Sequence, residues 1–403
     1  MIKNEKGLSG FFDDYVNQQP LFINKKALQS NYTPSEIPHR KEQIQQIASI
    51  LAPALRREKP SNIFLYGKTG TGKTVVSQYV SDQIMEAAKK KNVPLEIVYL
   101  NCKMKKVADT EYRLMAQLAN SFGAKVPATG LPTDEIYRLF MERIDKEPKM
   151  IVLILDEIDQ LVQKMGDGIL YNLTRFNSEL KNAEISLIGI SNDLIFVDNL
   201  DPRVKSSLSE EELIFPPYNA IQLQDILRER VQLAFRKGVV EEGVIEKCAA
   251  YAAREHGDAR RALELIRVAG ELAERKNKPK VGIIHLDEAE EKIERDRVVD
   301  IVKSQPKQSQ VVLYSIFNLN TTDKALFTGD AYGIYKDKCI LCGLKPLTQR
   351  RVSDIIAELD MLGIINARVI SKGRYGRTRE ISMAIPNSSV EELKEALEAS
   401  LGL

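Results

Sequence analysis

Residues 67–74 read Gly67-Lys68-Thr69-Gly70-Thr71-Gly72-Lys73-Thr74, a complete G-x-x-x-x-G-K-T phosphate loop. The apolar run Ile63-Phe64-Leu65-Tyr66 precedes it, and a helical stretch from Val75 to Ala88 follows. Strand, glycine loop and helix in that order separate a phosphate site from a chance glycine-rich turn. The glycines let backbone N–H groups turn inward around a phosphate chain, and the helix N-terminus adds partial positive charge. Lys73 is placed to reach the β- and γ-phosphates, and Thr74 offers a hydroxyl to Mg²⁺. The expected ligands are therefore ATP or ADP with Mg²⁺, cradled by residues 67 to 75.

Short apolar runs alternate with helical stretches from Ile63 to about Phe215. The strand candidates are Ile63–Tyr66, Leu95–Leu100, Ile151–Leu155 and Ile185–Ile190. That alternation predicts an α/β fold, a parallel sheet covered by helices. Pro216-Pro217 breaks the pattern, and residues 219–297 then show only helical periodicity. Ser304-Gln305-Pro306-Lys307-Gln308-Ser309-Gln310 is a polar linker candidate. After it, Thr348–Leu362 carries apolar residues at Val352, Ile355, Ile356, Leu359 and Leu362, one face of a helix that Gly363 stops. Two strand-like runs follow, Ile364–Ile370 and Thr378–Ile385, and helices before a β-hairpin read as a winged helix-turn-helix. The expected organisation is a loose polar extension over 1–30, a nucleotide-binding base over 31–216 and an all-helical lid over 217–300. A linker over 301–310 and a winged-helix DNA-binding domain over 311–403 complete it.

The paired acids Asp156-Glu157 end the apolar strand Ile151–Leu155. Beside the phosphate loop at the sheet's C-terminal edge, Asp156 would hold Mg²⁺ through its coordination shell and Glu157 would orient the attacking water. Asn192 follows another strand and would meet the γ-phosphate or the water, although an Asn-Asp pair also forms turns. Arg260 opens a helix in Gly257-Asp258-Ala259-Arg260-Arg261-Ala262-Leu263. An arginine there can swing onto a γ-phosphate, making domain closure sensitive to the nucleotide. By composition alone it reads instead as a solvated basic first turn.

These four signals, in this order, resemble the AAA+ ATPases, and within them the archaeal origin-recognition initiators. The resemblance is carried by Ile37-Pro38-His39-Arg40, the phosphate loop, the Asp156-Glu157 strand, Ser191-Asn192, Asp201-Pro202-Arg203-Val204, Gly257–Leu263 and the winged helix. It runs from about Tyr32 to Pro386. It implies that Pro38, His39 and Arg40 line an adenine pocket, with Tyr218 and Arg230 near the nucleotide. It makes Asn192 the sensor on the strand and Arg260 the sensor on the lid. Asp109–Phe122 matches a helical insertion that faces DNA in the family, and Lys103, Lys105 and Lys106 lie just ahead of it. One departure stands out. Oligomeric relatives carry an arginine a few residues after the Asp-Pro-Arg-Val motif, and here Arg203-Val204-Lys205-Ser206-Ser207 has serine in its place. Slow turnover by one subunit is the expectation.

The chain's 58 Lys+Arg and 56 Asp+Glu nearly cancel, so only local clustering can point to nucleic acid. From Ile364 to Arg379 no acidic residue occurs, while Arg368, Lys372, Arg374, Arg377 and Arg379 do. Five positive charges on a glycine-containing hairpin suit phosphate contact and minor-groove insertion. The preceding helix offers Gln349, Arg350 and Ser353, residue types that read base edges or clamp phosphates in a major groove.

No run reaches the roughly 20 apolar residues that span a bilayer, and no signal peptide is visible. Four cysteines fit a reducing compartment, so a cytoplasmic, nucleoid-associated protein without a membrane partner is expected. Cys339-Ile340-Leu341-Cys342 has no further ligands nearby and reads as two half-buried thiols rather than a zinc site. The sequence is read as an ATP-controlled initiator that binds double-stranded origin DNA. By resemblance its partners are a replicative helicase and other initiator paralogues. The alternatives are an ADP-locked DNA-binding regulator and a signalling ATPase whose winged helix has no DNA role.

Overall fold

The computed structural model describes residues 19–29, 32–34, 36–103, 110–127, 130–208, 210–319, 326–371, 377–385 and 387–403. The chain divides into two compact units, 1–286 and 287–403.

The first unit is built on five parallel strands: β1 (Asn62–Tyr66), β2 (Leu95–Asn101), β3 (Lys149–Asp156), β4 (Ala183–Ser191) and β5 (Glu210–Ile214). Their order is β2-β3-β4-β1-β5. Helices α1 (Lys41–Leu51), α2 (Lys73–Lys90), α3 (Glu111–Ser121), α4 (Thr133–Ile144), α5 (Ile158–Met165), α6 (Gly168–Glu179) and α7 (Pro202–Leu208) connect and cover them. The central strands are apolar on both faces because each side chain alternates between two cores. Ile63, Leu65, Val152 and Ile154 pack with α1 and α2, whereas Phe64, Ile151, Leu153 and Leu155 pack with α3 to α7. Gly189 keeps this packing tight, since a Cβ there would meet the Phe64 ring at 2.5 Å.

Register brings the functional strand ends into one row. Asn101 lies opposite Asp156, Asp156 opposite Ile190, and Tyr66 opposite Ser191. The phosphate loop, the paired acids and Asn192 therefore emerge side by side at the carboxyl edge, where ligands bind in open α/β sheets.

The same unit carries the helical lid: α8 (Ala220–Ala234), α9 (Val244–Arg254) and α10 (Ala259–Arg275). Asn219 and Gln222 form a capping box at the start of α8, which fixes where the lid begins after the proline pair. The residues read from sequence as a loose extension behave differently over their described part. Phe22 packs on Phe235 with ring centroids 4.4 Å apart, and Ile23 and Asn24 donate backbone hydrogen bonds to Ala234. Leu21, Ala27 and Leu28 are buried, so residues 19–29 form a strap on the lid. Burial of those apolar side chains outweighs the segment's polar average.

Helix α11 (Ile283–Ser304) contains the division between the units. The second unit continues with α12 (Lys307–Leu319), β6 (Leu326–Phe327), α13 (Thr328–Leu341), α14 (Gln349–Met361), β7 (Ile365–Ser371), β8 (Arg377–Met383) and α15 (Asn387–Leu401). β6, β8 and β7 form an antiparallel sheet in that order, a winged-helix arrangement. The predicted polar linker is a tight joint between α11 and α12. Gln310 is buried and its amide donates to the carbonyls of Lys303 and Gln305, which satisfies backbone groups left open where α11 ends. Helix α14 starts at the Thr348 cap and buries Val352, Ile355, Ile356 and Leu359.

Candidate functional site: a nucleotide cavity between sheet edge and lid

The phosphate loop bends through Gly70 at φ +75° and Gly72 at φ +92°, a region that side chains disfavour. Helix α2 then starts at Lys73, so backbone N–H groups and the helix terminus face a cavity of about 230 Å³. Lys73 Nζ donates to the carbonyls of Gly67 at 2.7 Å and Lys68 at 2.9 Å, and to Asn192 Oδ1 at 3.0 Å. Burial pulls the Lys73 ammonium down to about 8, with nearby Arg260 adding to the fall and Asp156 opposing it. This is a cation that lacks a full anionic partner, as a phosphate-binding lysine should be.

Asp156 is buried at the end of β3. Its Oδ2 accepts from the Thr74 hydroxyl at 2.9 Å and from the Tyr99 hydroxyl at 2.6 Å, while Oδ1 accepts from the Glu157 N–H at 3.0 Å. Two hard oxygen donors side by side in a cavity, Thr74 and Asp156, suit Mg²⁺. Glu157 adopts φ +56°, which turns the chain into α5, and its carboxylate lies 3.6 Å from Lys103 Nζ. Asn192 is steadied by its own N–H, which donates to Asp159 Oδ1 at 3.4 Å.

The lid meets this edge directly. The Ala259 N–H donates to the Gly70 carbonyl at 3.2 Å. Asp258 caps α10 by accepting from the N–H groups of Arg260 and Arg261. Arg260 lines the same cavity as Lys73, Asp156 and Asn192. The far end of the cavity is lined by Tyr32, Pro34, Ile37, Pro38, Ile226 and Arg230. Arg230 is buried, donates to the carbonyls of Ala27 and Tyr32, and lies 4.6 Å from the Tyr32 ring centroid.

Of the residues read from sequence, Thr69, Gly70, Gly72, Lys73, Thr74, Val75, Asp156, Glu157, Asn192, Tyr218, Arg230 and Arg260 share this lining. Gly67, Lys68 and Thr71 belong to the loop behind it. His39 and Arg40 are not among the lining residues. His39 Nε2 sits 3.0 Å from Asp225 Oδ2 near the surface. Arg40 is 2% exposed and acts as a brace. It donates to Thr71 O at 2.9 Å, Pro216 O at 2.6 Å and His39 O at 3.1 Å, and it stacks 3.9 Å from the Tyr218 ring centroid. Burial lowers its pKa, with Tyr218 opposing the shift. It ties phosphate loop, base and lid hinge together.

Sequence reasoning missed Tyr99, Asn101, Asp258 and the strap residue Gln29. Tyr99 and Asn101 share one face of β2, and only the pairing of β2 with β3 brings that face to the Asp156 edge.

In the second unit, Gln349 and Arg350 are exposed on the first turn of α14, and Ser353 is half-buried one turn on. Arg368 is exposed on β7, and Arg379 is half-buried on β8, facing Val369 in register. Arg377 opens β8 opposite Ser371. Lys372 and Arg374 lie outside the described residues, as do Lys105 and Lys106. Lys103 is the cation beside Glu157. The insertion match at Asp109–Phe122 contains α3, whose Leu114, Met115 and Leu118 are buried in the core. Arg203 is 85% exposed and paired with Asp201.

Three family models match the chain: an AAA domain over residues 56–195, a Cdc6 AAA+ ATPase-type lid domain over 224–291, and a CDC6 C-terminal winged helix domain over 300–393. The chain is 52% identical over 391 residues to the ORC1-type DNA replication protein of Thermococcus onnurineus, covering 96% of this chain and 94% of that one. It is 51% identical over 400 residues to ORC1-type DNA replication protein 1 of Methanosarcina mazei, covering 98% and 95%. Among solved structures, Aeropyrum pernix ORC1 in complex with DNA superimposes with a TM-score of 0.80 at 45% identity, covering 95% of this chain and 98% of that one.

Proposed function

Since the chain belongs to the ORC1-type DNA replication protein family and carries its AAA+ ATPase domain, we propose that it is an origin-binding initiator switched by ATP. Nucleotide bound between sheet edge and lid would control how the winged-helix unit engages double-stranded DNA. Slow hydrolysis would reset the switch, and the DNA-bound form would recruit a replicative helicase, with other initiator paralogues as further partners.

The observation that carries this reading is the convergence of base and lid on one phosphate position. Lys73 and Asn192 come from the base, Arg260 from the lid, and the Ala259–Gly70 hydrogen bond joins the two sides. A γ-phosphate there would add charge-assisted bonds to Lys73 and Arg260 that ADP cannot make, so lid closure is worth more with ATP. Bound Mg²⁺ would neutralise charge on the β- and γ-oxygens. Glu157 would orient the attacking water and accept its proton, and Asn192 would hold that water in line. For DNA, Gln349 and Ser353 supply base-edge groups, and Arg350, Arg368, Lys372, Arg374, Arg377 and Arg379 supply phosphate contacts.

The Lys103–Glu157 ion pair favours a second reading, a regulator that rarely hydrolyses and retains ADP. With its lysine well exposed to solvent, such a pair stabilises by about 1 kcal/mol, which slows Glu157 without disabling it. Single-turnover hydrolysis separates the readings. The initiator reading expects measurable turnover in wild type, its loss in Glu157→Gln, and ATP retention by that variant. Equal, negligible hydrolysis by both would establish the regulator.

A further inference from the structure

Tyr99 stands on β2, beside the strand that ends in Asp156, and no motif includes it. Its hydroxyl donates to Asp156 Oδ2 at 2.6 Å. The same oxygen accepts from the Thr74 hydroxyl at 2.9 Å, and Oδ1 accepts from the Glu157 N–H at 3.0 Å. Three donors on three segments therefore fix both position and rotation of the carboxylate. The reach follows from strand geometry. Asn101 is the register partner of Asp156, and Tyr99 stands two residues earlier on the same face. Its long side chain runs up to the strand ends and lines the cavity.

We propose that Tyr99 is a positioning residue for Mg²⁺ in the nucleotide complex, holding the Asp156 carboxylate aligned with the Thr74 hydroxyl. The inference rests on the nucleotide site described above. A carboxylate free to rotate must be ordered when the cation arrives, and that ordering weakens binding. Groups that hydrogen-bond a ligating carboxylate typically change metal affinity by ten- to a hundred-fold. Tyr99 reaches the cation only through Asp156, so its effect requires that residue.

The test is binding of fluorescent ATP in EDTA and across a Mg²⁺ titration, for wild type, Tyr99→Phe, Asp156→Asn and the double variant. Phenylalanine keeps the ring and removes only the donor. Measured against its own affinity in EDTA, Tyr99→Phe is expected to need about ten-fold more free Mg²⁺ for half of its affinity gain. The double variant should be no worse than Asp156→Asn alone, because the hydroxyl acts through that carboxylate. A wild-type Mg²⁺ midpoint in Tyr99→Phe overturns the proposal. An equal loss with and without Mg²⁺ also overturns it, and marks Tyr99 as a packing residue. Wild type that binds no ATP would overturn the nucleotide site itself, a different result from either.

Discussion

Replacing Gly70 by alanine tests the joint between phosphate loop and lid. Gly70 has φ +75°, so any Cβ there costs about 1–2 kcal/mol of backbone strain. The new methyl would also sit 1.7 Å from Asp258 Oδ1, an impossible approach. That oxygen caps α10, accepting from Arg260 N–H at 2.7 Å. Asp258 must rotate away, and losing such a cap costs about 1 kcal/mol. The sum is about 2–3 kcal/mol, or roughly a 30- to 150-fold shift at 1.4 kcal/mol per decade. Strain destabilises the loop, but cap loss acts at a distance, on the helix start that carries Arg260. Hydrogen exchange on nucleotide-free protein reads the second effect directly. Gly70→Ala should speed exchange at Arg260 and Arg261 about five-fold, as should Asp258→Ala. Combining the two should add nothing further there, because both remove one cap. If Gly70→Ala leaves α10 exchange unchanged, the loop and lid are not joined through Asp258, and the reasoning fails.

Other outcomes follow from the same geometry. Arg40→Met strips buried carbonyls of Thr71 and Pro216 of their donor and should cost about 3 kcal/mol in urea unfolding of the whole chain; a loss below about 1 kcal/mol would refute the brace. Lys73 sits near 8 without nucleotide, and bound phosphates would raise it. Binding is thus favoured by protonation, so ATP affinity should hold steady below pH 8 and fall about ten-fold per unit above it, whereas a flat profile to pH 9.5 would exclude Lys73 as the phosphate cation. On duplex DNA, Arg350→Ala and Arg379→Ala should each reduce the slope of log affinity against log salt by about 0.9, while Gln349→Ala should change sequence preference and leave that slope intact.

The phosphate loop and the acidic strand end were legible because their chemistry demands particular residues at fixed local spacing. Glycines at 70 and 72 are needed for φ, and an apolar run must carry Asp156 to the edge. What escaped depends on contacts remote in sequence. Leu21 and Phe22 look like part of a polar tail until α8 and α10 supply the surface that buries them. β5 begins Glu210-Glu211-Glu212, an acidic run that hides an edge strand whose Ile214 remains exposed. Arg40 looks like a ligand by its motif, yet its guanidinium is consumed by three backbone carbonyls. Tyr99 is an ordinary strand residue until register pairs it with Ile154, from where its side chain reaches Asp156 two residues on. Helix α15 has a plain helical signal in Val390, Leu393 and Leu397, eclipsed by the basic hairpin before it.

One titration addresses the central claim that the cavity's terminal phosphate governs the grip on DNA. Affinity for duplex origin DNA from the protein's own genome is measured with ATP, with ADP, and with each again for Lys73→Ala. Wild type should bind the duplex with different affinities in the two nucleotides, and Lys73→Ala should still bind but with that difference abolished. Identical wild-type affinities in ATP and ADP, matched by the variant, would contradict the account.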